Sequence, residues 1–279
     1  MKKLLLLTIF VLAMSLSSFA QLAPPPESAR QEVSQMVGDT KISIAYHRPN
    51  VKGRKIWGGL VPYGEVWRTG ANNATVFEIT NDVTVNGQKL AKGKYSLHTI
   101  PGETEWTIIF NKNAEQWGSF RYEMKDDVLR VTAKPATAEF HETMSLEIEN
   151  VVKNVAEVHI RWDKIAVPFT VDVGDVSGRL LTDVRRRMVS EPVQMANYVL
   201  NQKMTANYAE ALGWLDGSIK IRETFGNLQT KARILAEMGN YKEAITVGEK
   251  AVQVGKAATS TPANTVDFEK VLTEWKTKK

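Results

Sequence analysis

VTVNGQKLAKGKYSL, residues Val83 to Leu97, is the stretch whose reading decides the fold. Val83 and Val85 flank Thr84 with the two-residue period of a half-buried strand. Asn86-Gly87 is a favoured pair for a two-residue hairpin loop, because a type I′ turn needs positive φ at both central residues. It predicts Thr84–Val85 folded back on Gln88–Leu90. Lys92-Gly93 marks the next turn, and Tyr95 and Leu97 resume the alternation. Outward from this hairpin the same period recurs at Ile42, Ile44 and Tyr46, and at Trp106, Ile108 and Phe110. It returns at Met144, Leu146 and Ile148, then at Val158, Ile160 and Trp162. Pro168, inside the run from Ala166 to Val173, predicts an edge strand or a bulge, since proline has no N–H to donate. About eight short strands with frequent turns and no intervening helix predict an antiparallel β-sandwich, or a barrel, over residues 21–176.

Beyond Val176-Ser177-Gly178 the period changes, and residues 179–279 read as a helical domain. Helices are predicted over Thr182–Asn201, Ala206–Arg222, Leu228–Met238, Tyr241–Lys256 and Val266–Lys276. Tyr208, Ala211 and Ser218 recur as Tyr241, Ala244 and Ala251, 33 residues on. Small residues at these positions let two helices of a hairpin approach closely, and KARILAEMGNYKEAITVGEKAV resembles one tetratricopeptide repeat. The fold class is therefore α+β by domains, a sandwich followed by a repeat-like helical tail.

Lys2 and Lys3, the apolar run Leu4–Ala13 and the small-x-small triplet Ser18-Phe19-Ala20 predict a signal peptide over residues 1–20 and an exported protein. The apolar run is too short for a membrane span. The chain has no cysteine, so disulfides cannot support it and its core must. Gln21 to Gly178 carries 18 basic and 20 acidic residues, a net of −2; Arg179 onward carries 16 and 11, a net of +5. Part of that excess is Arg185, Arg186 and Arg187, which read as a solvated helix face. No nucleic-acid-reading motif accompanies it, so no nucleic-acid partner is expected.

Between the strands lies YHRPNVKGRKIWGGLVPYGEVWRTGANN, Tyr46–Asn73, with five glycines, two prolines, four aromatics and three arginines. A structureless stretch this long inside a compact domain is usually functional. Large aromatics argue that it is ordered. Arg48, Lys52, Arg54, Trp57, Tyr63, Glu65, Trp67, Arg68 and Asn72 are its candidate ligand-binding residues. Trp117, on the irregular stretch Asn111–Met124, joins them. Rings offer contact area at low entropic cost and arginine offers a planar donor fork, a mixture suited to a sugar, a peptide or a carboxylate. The competing reading makes Trp57 and Trp67 the loop's own small core, with the arginines bridging to backbone carbonyls. His47, His98, His141 and His159 are scattered without metal-ligand spacing, and no nucleophile elbow, phosphate loop or cofactor motif is present; no metal and no cofactor are expected.

RPNVKGR (48–54), LVPYG (60–64), WRTGAN (67–72), GKYSL (93–97), the IP pair (100–101), FNK (110–112), QWG (116–118) and KDDVLR (125–130) together resemble domain-of-unknown-function family 2911, made of secreted bacterial proteins. The resemblance covers roughly residues 30–175. It implies an exported strand domain, often followed by repeat-like helices, and no assigned activity. The family commonly has a serine where His47 stands, an acid where Asn73 stands and an apolar residue where His98 stands. The leading expectation is a non-enzymatic exported binding module whose helical tail meets protein partners. The alternative is a hydrolase of envelope or extracellular polymers with Glu65, Arg68, His47 or His98 near its centre.

Overall fold

The computed structural model describes residues 26–278, so the expected signal segment lies outside the described residues. The chain divides into two compact units, one ending at Val176 and the other beginning at Ser177. The first contains β1 (Ala29–Val37), β2 (Thr40–Arg48), β3 (Thr75–Ile79), β4 (Val83–Val85), β5 (Gln88–Leu90), β6 (Gly93–Ile100), β7 (Trp106–Asn111), β8 (Asp127–Ala133), β9 (Ala136–Val152) and β10 (Val155–Asp172). They form a six-stranded sheet, β1-β2-β3-β6-β7-β8, and a four-stranded sheet, β5-β4-β10-β9, antiparallel throughout.

The two sheets pack face to face. Phe77 of β3 and Phe110 of β7 meet Phe169 of β10 at 6.3 and 6.1 Å between ring centroids. Tyr46 of β2 reaches across, its hydroxyl donating to Gln31 Oε1 and accepting from the Leu146 amide of β9, each at 2.8 Å. The Asn86-Gly87 turn forms as its sequence requires, with φ of 45° and 81° and Val85 opposite Gln88. The Asn86 side chain also donates to the Thr132 carbonyl at 2.8 Å and accepts from the Thr170 amide at 2.8 Å, fastening the hairpin to both sheets.

Two features differ from the sequence reading. The runs around Met144 and Val158 are not short strands but parts of β9 and β10, 17 and 18 residues long. β10 is interior to its sheet despite Pro168. The proline falls between Ala166, the last residue paired with β9, and Val171, the first paired with β4, where no ladder bond is required of it.

The second unit is helical: α1 (Val176–Asn201), α2 (Tyr208–Ile221), α3 (Phe225–Glu237), α4 (Tyr241–Ala257) and α5 (Thr265–Lys276). Thr224 caps α3 by accepting from the Asn227 amide, while Asn227 accepts from the Thr224 amide, a reciprocal box that satisfies two orphan donors. Asn227 also donates to Ser218 Oγ at 3.0 Å, and Ser218 donates to the Val189 carbonyl at 2.9 Å, joining α1, α2 and α3. Arg186 and Arg187 pair with Asp183 on the exposed side of α1. Among the described residues no helix is long and apolar enough to cross a membrane.

Candidate functional site

The loop between β2 and β3 is held by its own backbone and by its rings. Gly58 accepts no side chain easily: its φ is 68°, and a Cβ there would lie 2.9 Å from the Tyr63 ring. The amides of Gly58, Gly59, Leu60 and Val61 all donate within residues 55–61, closing a compact turn. Trp67 and Thr99 exchange both backbone hydrogen bonds at 2.8 Å, so the loop returns along β6 before β3 begins. Gly70 sits so close to β2 that a Cβ would be 2.9 Å from the His47 carbonyl oxygen.

Two of the loop's rings belong to the core. Trp57 and Trp67 are 9% and 8% exposed. They join Trp106 of β7 and Trp162 of β10 in a four-tryptophan cluster. Trp57 stands edge-on to Trp106 at 4.8 Å, and Trp67 stacks on Trp162 at 5.9 Å and 17°. Such pairs bury large apolar area and favour offset or edge contacts. Trp67 Nε1 donates to the Gly70 carbonyl at 3.1 Å.

Beside this cluster lies a recess of about 230 Å³, whose lining includes Asn50, Lys52, Arg54, Leu60, Trp67 and Arg68. Four of the ten candidate residues thus come together. Arg54 donates to the carbonyls of Val51 (3.1 Å) and Asn50 (2.6 Å), which fixes its guanidinium at the rim. Lys52 pairs with Glu27, both largely exposed. Arg68 is half-buried, has no carboxylate within ion-pair distance among the described residues, and its Nε is buried without a partner. Burial lowers its pKa, the physical mark of a cation short of counter-charge.

The remaining candidates lie elsewhere. Arg48 donates through Nε to the Met144 carbonyl at 2.7 Å and lines a separate groove with Glu147 and Glu149. Tyr63 and Glu65 are exposed and outside the recess lining. Trp117 is 64% exposed and stacks on Phe120 at 5.5 Å. Asn72 has positive φ (54°), and its carbonyl accepts from the Gly118 amide.

A buried polar layer adjoins Arg68 on β6. The residue after Trp67 runs alongside the residue before Thr99, so Arg68 and His98 are cross-strand neighbours within electrostatic reach of each other. His98 is fully buried, and neither ring nitrogen has a hydrogen-bond partner. Burial, reinforced by Arg68 and opposed by Asp127, lowers its pKa to about 4, so the ring is neutral near pH 7. Its ring centroid lies 5.2 Å from that of Tyr122, the two rings tilted by 51°. Tyr122 donates to Asp127 at 2.6 Å, Arg130 donates to the same carboxylate at 2.7 Å, and Asn111 donates at 2.9 Å. Burial and Asp127 push the Tyr122 hydroxyl up to about 12. Gln116 donates to Ser96 Oγ and the Asn113 carbonyl, leaving Oε1 buried and unpartnered. Tyr122 stands out in the sequence as a ring of the irregular stretch Asn111–Met124, whereas Gln116, Asp127 and Arg130 carry no signal beyond their position in the QWG and KDDVLR stretches. Among the described residues no group of three or more His, Cys, Asp or Glu could hold a metal ion.

One family profile, described as protein of unknown function (DUF2911), matches residues 28–171. No curated protein and no solved structure matches the chain.

Proposed function

The chain belongs to DUF2911, a family of unknown function, and from that premise we propose its role from the site: an exported, non-enzymatic binding module that holds a small carboxylate in the recess at Lys52, Arg54 and Arg68. The observation that carries this reading is Arg68, a half-buried guanidinium with an unpartnered Nε beside two further cations. A buried charge is costly unless paired, and a carboxylate is the planar acceptor that a guanidinium fork matches. A sugar or aromatic peptide is less well served, because Trp57 and Trp67 spend their faces on each other and on Trp106 and Trp162. The recess, about 230 Å³, is below the ~300–1,000 Å³ of most small-molecule sites, which favours a small acid or a chain terminus.

The lining contains no histidine, and its one acid, Glu27, is already paired with Lys52. Glu65 lies outside it, so the hydrolase alternative has less support than binding. The helical unit supports a repeat-like docking role for protein partners. Ala211, Ser218, Ala244 and Ala251, the small residues of the 33-residue correspondence, are all buried between helices. Isothermal titration of acetate, succinate and glutamate into the full chain tests the ligand class. A saturable heat that falls about tenfold in affinity on Lys52→Ala or Arg54→Ala is expected, the usual worth of one exposed charge-assisted contact. Absence of binding to all three acids overturns the reading.

A further inference from the structure

Around Arg68, at the edge of the recess, four side chains carry buried polar groups without a hydrogen-bond partner: Arg68 Nε, Asn72 Nδ2, both nitrogens of His98, and Gln116 Oε1. They share one neighbourhood. Arg68 flanks His98 across the Trp67–Thr99 pairing. Gln116 is tied to Ser96, two residues from His98 and on the same face of β6. Asn72 is tied through its carbonyl to Gly118, and the Ala74 amide to the Gln116 carbonyl. Native proteins leave few buried polar groups unpaired, so four in one place call for an explanation.

We propose that this layer, roofed by residues 112–124, binds the head of a small hydroxycarboxylate. The carboxylate accepts from Arg68 Nε and Asn72 Nδ2, and the hydroxyl donates to Gln116 Oε1 while accepting from the protonated ring nitrogen of His98. The donor set dictates this class. Arg68 and Asn72 supply donors suited to an anion, whereas Gln116 Oε1 is an acceptor that a bare carboxylate cannot satisfy. Entry requires the tip of the roof to lift, which breaks two backbone hydrogen bonds to residues 72–74 and the Gln116–Ser96 bond; the rings at the tip, Trp117 and Phe120, are already 64% and 82% exposed, while Tyr122 stays held by Asp127 and Arg130. The inference rests on the reading of Arg68 as the anion's partner and adds the discrimination between acids.

The test uses the full chain with two matched pairs of probes, lactate against propionate and malate against succinate. Titration calorimetry gives affinities, and the ring ¹⁵N signals of His98, assigned by their loss in His98→Gln, report the site in the unmutated protein. Each hydroxy acid is expected to bind about tenfold more tightly than its partner, the worth of one hydrogen bond to a buried group. It also moves the His98 signals, and the preference disappears in Gln116→Leu while persisting in Lys52→Ala. Equal affinities within each pair, or His98 signals unmoved at saturation, overturn this inference and leave carboxylate binding at the recess standing. No binding by any of the four acids overturns both.

Discussion

His98 is where residue-level chemistry has the largest consequence. Its ordinary pKa of 6.5 drops to about 4 in the folded protein, chiefly by burial. The unfolded chain therefore binds the proton more readily, and stability declines as pH falls from about 6.5 towards 4. The loss is on the order of 3 kcal/mol when complete. Urea unfolding across that range checks it, and His98→Gln is expected to remove most of the slope. Trp67 is the second such residue. Trp67→Ala empties a position packed against Trp57, Trp106 and Trp162, with an expected cost of about 3–5 kcal/mol. The sequence left Trp57 and Trp67 open between ligand contact and loop core, because ring type alone does not say which face is covered. Only Trp106 and Trp162, distant in sequence, decide it. Arg68 was legible as a cation in a long irregular loop. Its lack of a counter-charge was not, since pairing depends on which carboxylates the fold brings near.

At the scale of elements, local signals with strict conformational demands were readable. Asn86-Gly87 placed β4 against β5 because few other residue pairs tolerate two positive φ values. The helices of the second unit followed from the 3.6-residue period and small residues at close approaches. What escaped was length and placement. β9 and β10 run long through bulges, with register shifts such as that between Arg161 and Asp163, which interrupt the alternation that marks a strand. The layer formed by residues 112–124 over β6 has no period at all, so Gln116 and Tyr122 carried no local sign of their burial contacts. In the second unit, Asn227 combines the α3 cap with buried bonds to Ser218 and the Arg222 carbonyl. Asn227→Ala is expected to cost about 2–3 kcal/mol, read as loss of helical signal at lower temperature.

At the scale of the molecule, each unit carries its own buried hydrophobic residues, one core centred on the two sheets and, in the helical unit, two clusters, one across α1, α2 and α3 and one across α3, α4 and α5. Scanning calorimetry of the full chain is expected to resolve two transitions. Trp67→Ala should lower one and Asn227→Ala the other; a single transition shifted equally by both variants contradicts this. The fold class was legible because the period of apolar residues changes once, near Val176. The cations at the recess were legible in the sequence, but which of them lacks a counter-charge was not, because that depends on which carboxylates the fold brings near. Arg68 is the residue on which the proposed anion binding turns. The measurement is the Nε–H signal of Arg68 in ¹H–¹⁵N spectra, assigned by its absence in Arg68→Lys, during titration with acetate and succinate. A saturable downfield shift of that signal is predicted. A signal that stays fixed through the titration, in a protein that remains folded, would contradict the central claim.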